Sequence, residues 1–212
     1  MRQSHLQPLL WLQHGVELYL SYWLTIFGFF LLYSIVSIAT IGILAGPLLV
    51  GFYRILDRLQ MGDGYRPEIR DLFGGFDRFG DAVAQLLIWS FGPVILLTFL
   101  AVIPLIGPVI GLLIIIVLGP LAQFGFPLIA LEGKTWTEAS VAILAGVRYE
   151  PLMFPLTGWA FSLLPALLAV FGVRFGWVGF LITLLVTPVT LCSVAMSAPV
   201  VNPWLANLDL RR

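Results

Sequence analysis

The chain has 212 residues, 60% of them hydrophobic and 10% charged, with a mean hydropathy of +1.02. A soluble domain carries about 25% charged residues, so this composition excludes an ordinary water-solvated fold and makes lipid the expected solvent. Eleven basic residues balance eleven acidic ones, and a neutral chain offers nucleic acid no electrostatic footprint.

A helix needs about 20 apolar residues to cross the hydrocarbon. The expected fold is therefore all-α, a polytopic membrane bundle of about six transmembrane helices with short interfacial helices. Residues 1–21 read as an interfacial lead-in. Leu6, Leu9, Leu10 and Leu12 alternate there with Gln3, Gln7, Gln13 and His14, and no cleavage site marks a secretory signal.

From Trp23 to Ile55 the sole charge is Arg54. As one helix this run would be about 50 Å long, against a hydrocarbon core of about 30 Å. Thr40, Gly42, Gly46 and Pro47 mark the break, which predicts spans at 22–41 and 43–60. A five-span alternative lays 43–60 on the interface instead.

Gly62 and Gly64 predict a turn at 61–66, and Pro67 is placed to open an amphipathic helix over 67–81. Its apolar face is Ile69, Leu72, Phe73, Phe76 and Val83; its polar side is Arg70, Asp71, Asp77, Arg78 and Asp81. Gly74-Gly75 weakens and hinges it. Spans at 82–104 and 106–130 follow, joined by Pro104-Leu105-Ile106-Gly107. Thr135 and Glu138 form a capping-box pattern, which predicts a short helix from Trp136 to about Val147. Spans at 151–172 and 176–199 flank Gly172-Val173-Arg174, and 201–212 is a tail.

On this plan Arg2, Arg54, Arg58, Arg66, Arg70, Arg78, Lys134, Arg148, Arg211 and Arg212 fall on one side of the membrane and Arg174 on the other. The positive-inside rule then places both termini and both polar loops in the cytoplasm. Pro47-Leu48 and Pro127-Leu128 each precede a polar loop with a short helix, an echo of the repeats found in transporters.

The order Gly46-Pro47-Leu48-Leu49, Gly51, Arg54 and Leu59, then Asp71-Leu72-Phe73 with Gly75-Phe76, resembles a group of bacterial six-helix membrane families. Among them is the membrane module attached to some glycerophosphodiester phosphodiesterases. Pro127-Leu128-Ile129-Ala130, Thr137-Glu138-Ala139 and Pro188 extend the likeness across 20–200. It implies the six-span plan. It carries over no catalytic residue, because the phosphodiesterase chemistry belongs to a separate soluble domain that this sequence does not contain.

No ionisable residue is expected in the middle of a span, which argues against a proton-driven pump or voltage sensor. His5 and His14 are too few to build a metal site, Cys192 stands alone, and no G-x-S-x-G motif occurs. Neither a catalytic group, a metal nor a cofactor is expected. Asp71, Asp77 and Asp81 read as a headgroup-level salt-bridge network closed by Arg70 and Arg78, with Asp77 and Asp81 on one face. The candidate contacts to lipid headgroups or a partner are Arg70, Arg78, Phe73 and Phe76. Thr183, Thr187, Thr190 and Ser197 share one arc of the last span and read as helix packing. With Gln123, the three threonines are also the candidate lining of a solute path. Gly42/Gly46 and Gly107/Gly111 read as close-approach pairs.

The reading is an integral protein of the bacterial inner membrane, a non-enzymatic module that binds membrane lipids or a membrane or cytoplasmic protein. The alternative is a small transporter or permease component for a neutral or amphiphilic solute. An intramembrane enzyme comes last.

Overall fold

The computed structural model describes residues 8–100, 106–150, 154–156, 182 and 184–197. Those residues form helices and the turns between them, with no strand. The fold is all-α. The expected span at 151–172, Thr183 and the tail at 201–212 lie wholly or mostly outside the described residues.

Helix α1 (Pro8–Ser21) meets α2 (Trp23–Ala39) at a bend of 95°. Helix α2 carries no charge and ends in a Schellman motif. The Gly42 amide donates to the Ser37 carbonyl at 2.7 Å and the Ile41 amide to the Ile38 carbonyl at 3.0 Å. The left-handed residue that this motif needs is Ile41, with φ of 52°, followed by Gly42 at 80°. A β-branched residue is rare there, and Ile41 is almost fully exposed. Gly42 thus serves the turn rather than a close helix approach. For Gly107 and Gly111 the side-chain surroundings lie outside the description.

Helix α3 (Ala45–Met61) is the core helix: eleven of its 17 residues are buried. Pro47 sits in its first turn, where a missing amide costs nothing, and Gly62 ends it in the left-handed conformation with φ of 68°. Leu48, Phe52, Tyr53 and Leu56 belong to one buried cluster with Ile26 and Phe30 of α2. Arg54 stands midway along α3. The expectation that no ionisable residue occupies the middle of a span therefore fails for 43–60 taken as a span.

Where one amphipathic helix was expected over 67–81, the chain forms three pieces. After Pro67, α4 (Ile69–Leu72) leads into a 3₁₀ turn (Phe73–Arg78) and then α5 (Phe79–Gln85). The helix opens two residues after Pro67, with Glu68 at its N-cap. The cause of the break is a glycine seam against α3. A Cβ on Gly51 would overlap the Leu72 carbonyl, one on Gly75 would overlap the Pro47 carbonyl, and one on Gly46 would overlap the Ala82 carbonyl. Two stretches of backbone lie in direct contact, and a regular α-helix with side chains at those positions does not fit.

The expected apolar face consequently splits. Of its members Leu72 is buried, Val83 is half-buried, and Ile69, Phe73 and Phe76 remain exposed; outside it, Gly75 and Ala82 are buried and Phe79 is exposed. From α5 the chain passes through a π-helical turn (Leu86–Phe91) into α6 (Gly92–Leu100). The Gly92 amide reaches back to the Leu87 carbonyl, one residue further than in an α-helix. Pro93, which lacks an amide and crowds the preceding turn, accounts for the insertion.

Helix α7 (Ile106–Leu131) contains Pro120 and Pro127, and Leu121, Phe124 and Leu128 join the core cluster. Gly125 lies against the buried Gln85 amide. Helix α8 (Trp136–Tyr149) begins with the expected capping box: the Glu138 amide donates to Thr135 Oγ1 at 3.3 Å, and the Thr135 amide to Glu138 Oε2 at 2.8 Å. Helix α9 (Leu184–Ser197) meets α1 where Gly15 abuts Ser193. Among the described residues no single helix is long and apolar enough to cross a membrane; the bent pair α1–α2 reaches that length and apolarity only when both helices are taken together.

The seam yields a paired prediction. Gly75→Ala forces a methyl into the Pro47 carbonyl and should cost about 3 kcal/mol, the upper range for overpacking, because backbone rather than side chain must yield. Gly74→Ala, with nothing within 4 Å of its Cβ position, should shift the detergent-solubilised melting temperature little. Equal shifts for the two would refute the seam.

Candidate functional site

The charged residues that the sequence places in one network are divided among separate tasks. Arg54 takes the largest share. Its Nε donates to the Ala130 carbonyl at 3.0 Å, Nη1 to the Gly74 carbonyl at 2.6 Å, and both Nη atoms hold the Asp77 carboxylate at 3.0 Å. One planar guanidinium therefore ties α3 to the end of α7 and to the 3₁₀ turn, a fork geometry that lysine lacks. Asp77 pairs with Arg54 rather than with Arg70 or Arg78, the two arginines expected to close the acid network. The reason is tertiary: α3 presents Arg54 to the turn at a sequence separation no local pattern reports.

Asp77 and Asp81 do not share a task either. Asp81 accepts the Trp136 amide at 3.1 Å, so α5 supplies a carboxylate to the N-terminus of α8, where the helix dipole favours it. The same junction is tied by the Trp89 indole, which donates to Ser140 Oγ at 2.7 Å, while that hydroxyl donates to the Trp136 carbonyl. Arg78 is half-buried and reaches Gly133, just beyond α7. The Thr135 amide and hydroxyl hold the Glu138 carboxyl below its usual range, with smaller help from Lys134 and Arg78.

Arg70 stands apart from Arg78. It pairs with Glu68 at 2.9 Å, both side chains mostly exposed, an arrangement worth little in water. Asp71 accepts the Tyr65 hydroxyl at 2.6 Å and the Glu68 amide at 2.9 Å. Those two donors, the hydroxyl first, hold its carboxyl below the usual range. Burial and then the Asp71 hydrogen bond push the Tyr65 phenol up to about 12. The Arg58 guanidinium lies over the Tyr65 ring at 5.3 Å from its centroid, a cation–π contact. Arg54, Arg58, Tyr65, Arg70, Asp71 and Gly74, with Ile55, enclose a pocket of about 260 Å³. Sequence reasoning passed over Arg58 and Tyr65 here. Arg58 lies one helical turn beyond Arg54 on α3, and that i, i+4 spacing was the available signal.

Phe73 and Phe76 are exposed, and Phe79 joins them. Ring centroids lie 5.8 Å apart for Phe73–Phe76 and 5.9 Å for Phe76–Phe79. A 3₁₀ helix has three residues per turn, so positions three apart eclipse, and the three rings form one row. The hydroxyl stripe of the last helix turns toward its own backbone. Thr190 donates to the Thr187 carbonyl at 2.7 Å, Ser193 to Val189 and Ser197 to Val194. Thr190, Ser193 and Ser197 are buried, which suits packing. Gln123 is half-buried on α7, and Thr183 lies outside the described residues. Among the described residues no group of three or more His, Cys, Asp or Glu converges on a metal-sized space.

Two predictions follow from these contacts. Arg54→Ala strands two carbonyls and a carboxylate and should destabilise by about 2–3 kcal/mol, whereas Asp77→Asn, at a more exposed partner, should cost about 1 kcal/mol or less. Thermal unfolding in detergent reads the order, and an Asp77 variant as damaging as the Arg54 variant would count against it. Asp71, with its carboxyl lowered by folding, stabilises the 65–71 turn above the ordinary carboxylate range and loses that contribution as pH falls through its lowered value. Tyr65→Phe removes the largest cause of that shift. A pH titration of the Asp71 carboxyl by carbon NMR should show it rise toward the ordinary carboxylate range.

No family model, no curated protein and no solved structure matches this chain.

Proposed function

We propose that this chain is a non-enzymatic integral protein of the bacterial inner membrane, a lipid-binding module whose interfacial element is the stretch from Tyr65 to Phe79. The observation that carries the reading is the row of Phe73, Phe76 and Phe79, exposed and each packed against the next, in the same short stretch as Arg70 and the Arg58–Tyr65 contact. Aromatic rings beside arginines suit the boundary between headgroups and acyl chains, where one end of a surface is apolar and the other wet.

The helices around that row support the membrane setting. Helix α2 is uncharged and leaves Trp23, Leu24, Leu31, Ile35 and Ile38 exposed; α6 leaves Ile95, Leu96 and Phe99 exposed. Contiguous apolar surface of this kind is a liability in water and ordinary in lipid. Helix α7 has no Asp, Glu, Lys or Arg in its sequence. The right-angled approach of α1 to α2 suits a helix on the surface entering a span. On this plan six spans leave both termini and both polar loops in the cytoplasm, where the basic residues lie. The turning of the α9 hydroxyls onto their own backbone favours a packed bundle over a solute path.

Depth measurement tests the reading. In a Cys192→Ser background, nitroxides at Phe76→Cys and Asp63→Cys are compared in lipid vesicles for accessibility to oxygen and to a water-soluble nickel complex. The label at 76 should be oxygen-accessible and nickel-poor, at the headgroup–acyl boundary, and the label at 63 the reverse. Equal water accessibility at both positions would overturn the proposal.

A further inference from the structure

The polar pocket behind the aromatic row has the makings of a specific site, and its chemistry names a ligand class. It is walled by α3 through Arg54, Ile55 and Arg58, by the loop through Tyr65, and by the following turn through Arg70, Asp71 and Gly74. Its three guanidiniums are not equivalent. Arg54 is spent on Asp77, Gly74 and Ala130. Arg58 stacks on Tyr65 and, among the described residues, forms no ion pair. Arg70 has a solvent-exposed pair with Glu68, which an anion with better geometry readily displaces. Two cations are thus available to one anion.

Asp71 makes the pocket bipolar. The Tyr65 hydroxyl and the Glu68 amide both donate to its Oδ2, and the second oxygen, Oδ1, keeps acceptor capacity. A free phosphate dianion would meet that carboxylate as a repulsive neighbour. A phosphodiester carries one charge, and a substituent bearing N–H or O–H donors turns Asp71 from an obstacle into a partner. The other side of the same stretch is apolar: Pro67 and Ile69, with Leu24, Thr25, Gly28, Phe29 and Leu32 of α2, wall a groove of about 360 Å³. Residues 65–71 therefore separate a cationic pocket from an apolar groove, the two surfaces an amphiphile needs.

We propose that this pocket binds the headgroup of a phospholipid whose substituent carries hydrogen-bond donors, an ethanolamine or glycerol phosphodiester, with Arg58 and Arg70 on the phosphate and Asp71 on the ammonium or hydroxyl. The inference rests on the reading of the 65–79 stretch as the interfacial element. It goes further by naming which headgroups are retained and which residues choose them. A choline headgroup has the same phosphate and no donor on its nitrogen, so it satisfies the arginines and offers Asp71 Oδ1 no hydrogen bond.

The test is native mass spectrometry of the full chain released from nanodiscs of equimolar phosphatidylethanolamine, phosphatidylglycerol and phosphatidylcholine. The wild-type chain should retain one lipid, ethanolamine or glycerol type, in preference to choline. Arg58→Ala/Arg70→Ala should reduce retention at least about tenfold, the loss of one charge-assisted hydrogen bond or more. Asp71→Asn should keep the lipid and level the preference over choline. Glycerophosphoethanolamine added to the detergent-solubilised complex should displace the lipid, and displacement by inorganic phosphate at equal concentration would overturn the lipid assignment. Unchanged retention in the double arginine variant, with its melting temperature preserved, would overturn the site, as would equal retention of all three lipids by wild type. The depth measurement at position 76 keeps the two ideas apart. A boundary-depth label with no selective lipid defeats the pocket alone, and a water-exposed label defeats the interfacial reading beneath it.

Discussion

The Arg54 guanidinium is the point at which the described parts of the molecule converge. It projects from the middle of the core helix, and its donors meet two other elements: the end of α7 through Ala130, and the 3₁₀ turn through Gly74 and Asp77. Such a group is costly to leave unpaired in a half-buried position and strongly directional once paired. The glycine seam makes the arrangement possible. With Cβ atoms at Gly51 and Gly75 the turn would stand further from α3, and the Gly74 carbonyl and Asp77 would move away from a guanidinium fixed on the helix.

That pairing also shapes what remains exposed. Because Asp77 is committed to Arg54 and Asp81 to the first turn of α8, neither acid neutralises Arg58 or Arg70. The turn that delivers Asp77 to Arg54 is 3₁₀ rather than α, and its threefold repeat lines up Phe73, Phe76 and Phe79 on the outside. The aromatic row and the arginine pocket are thus two consequences of one close backbone contact. In the proposed setting the row would meet acyl chains while the pocket meets headgroups. A single stretch, 65–79, would serve both regions of the bilayer.

Several polar side chains elsewhere are occupied by backbone carbonyls of the apolar helices. Thr40 and Ser34 donate to carbonyls one turn back on α2, and Thr190, Ser193 and Ser197 do so on α9. Gln85, fully buried, donates its amide to the Leu121 carbonyl across the α5–α7 contact. Where water is scarce each such bond spares a buried group its desolvation cost, and hydroxyls spent in this way are poorly placed to line a solute path.

Signals carried by neighbouring residues were legible in the sequence. The apolar composition and the helical spacing gave an all-α chain; Thr135 and Glu138 announced the start of α8; Gly62 announced the end of α3; and the residues around Gly42 announced the turn after α2. Each depends on a few adjacent residues and on backbone geometry that those residues control themselves. The partner of Asp77, the 3₁₀ form of 73–78 and the gathering of Arg54, Arg58 and Arg70 around Tyr65 depend instead on α3 lying against the 69–85 stretch. Local sequence offered Arg70 and Arg78 to the cluster of Asp71, Asp77 and Asp81, whereas the partner of Asp77, Arg54, lies 23 residues away. Only tertiary structure decides such contacts, because backbone-to-backbone approach at Gly51 and Gly75 is a property of two segments together and neither records it alone.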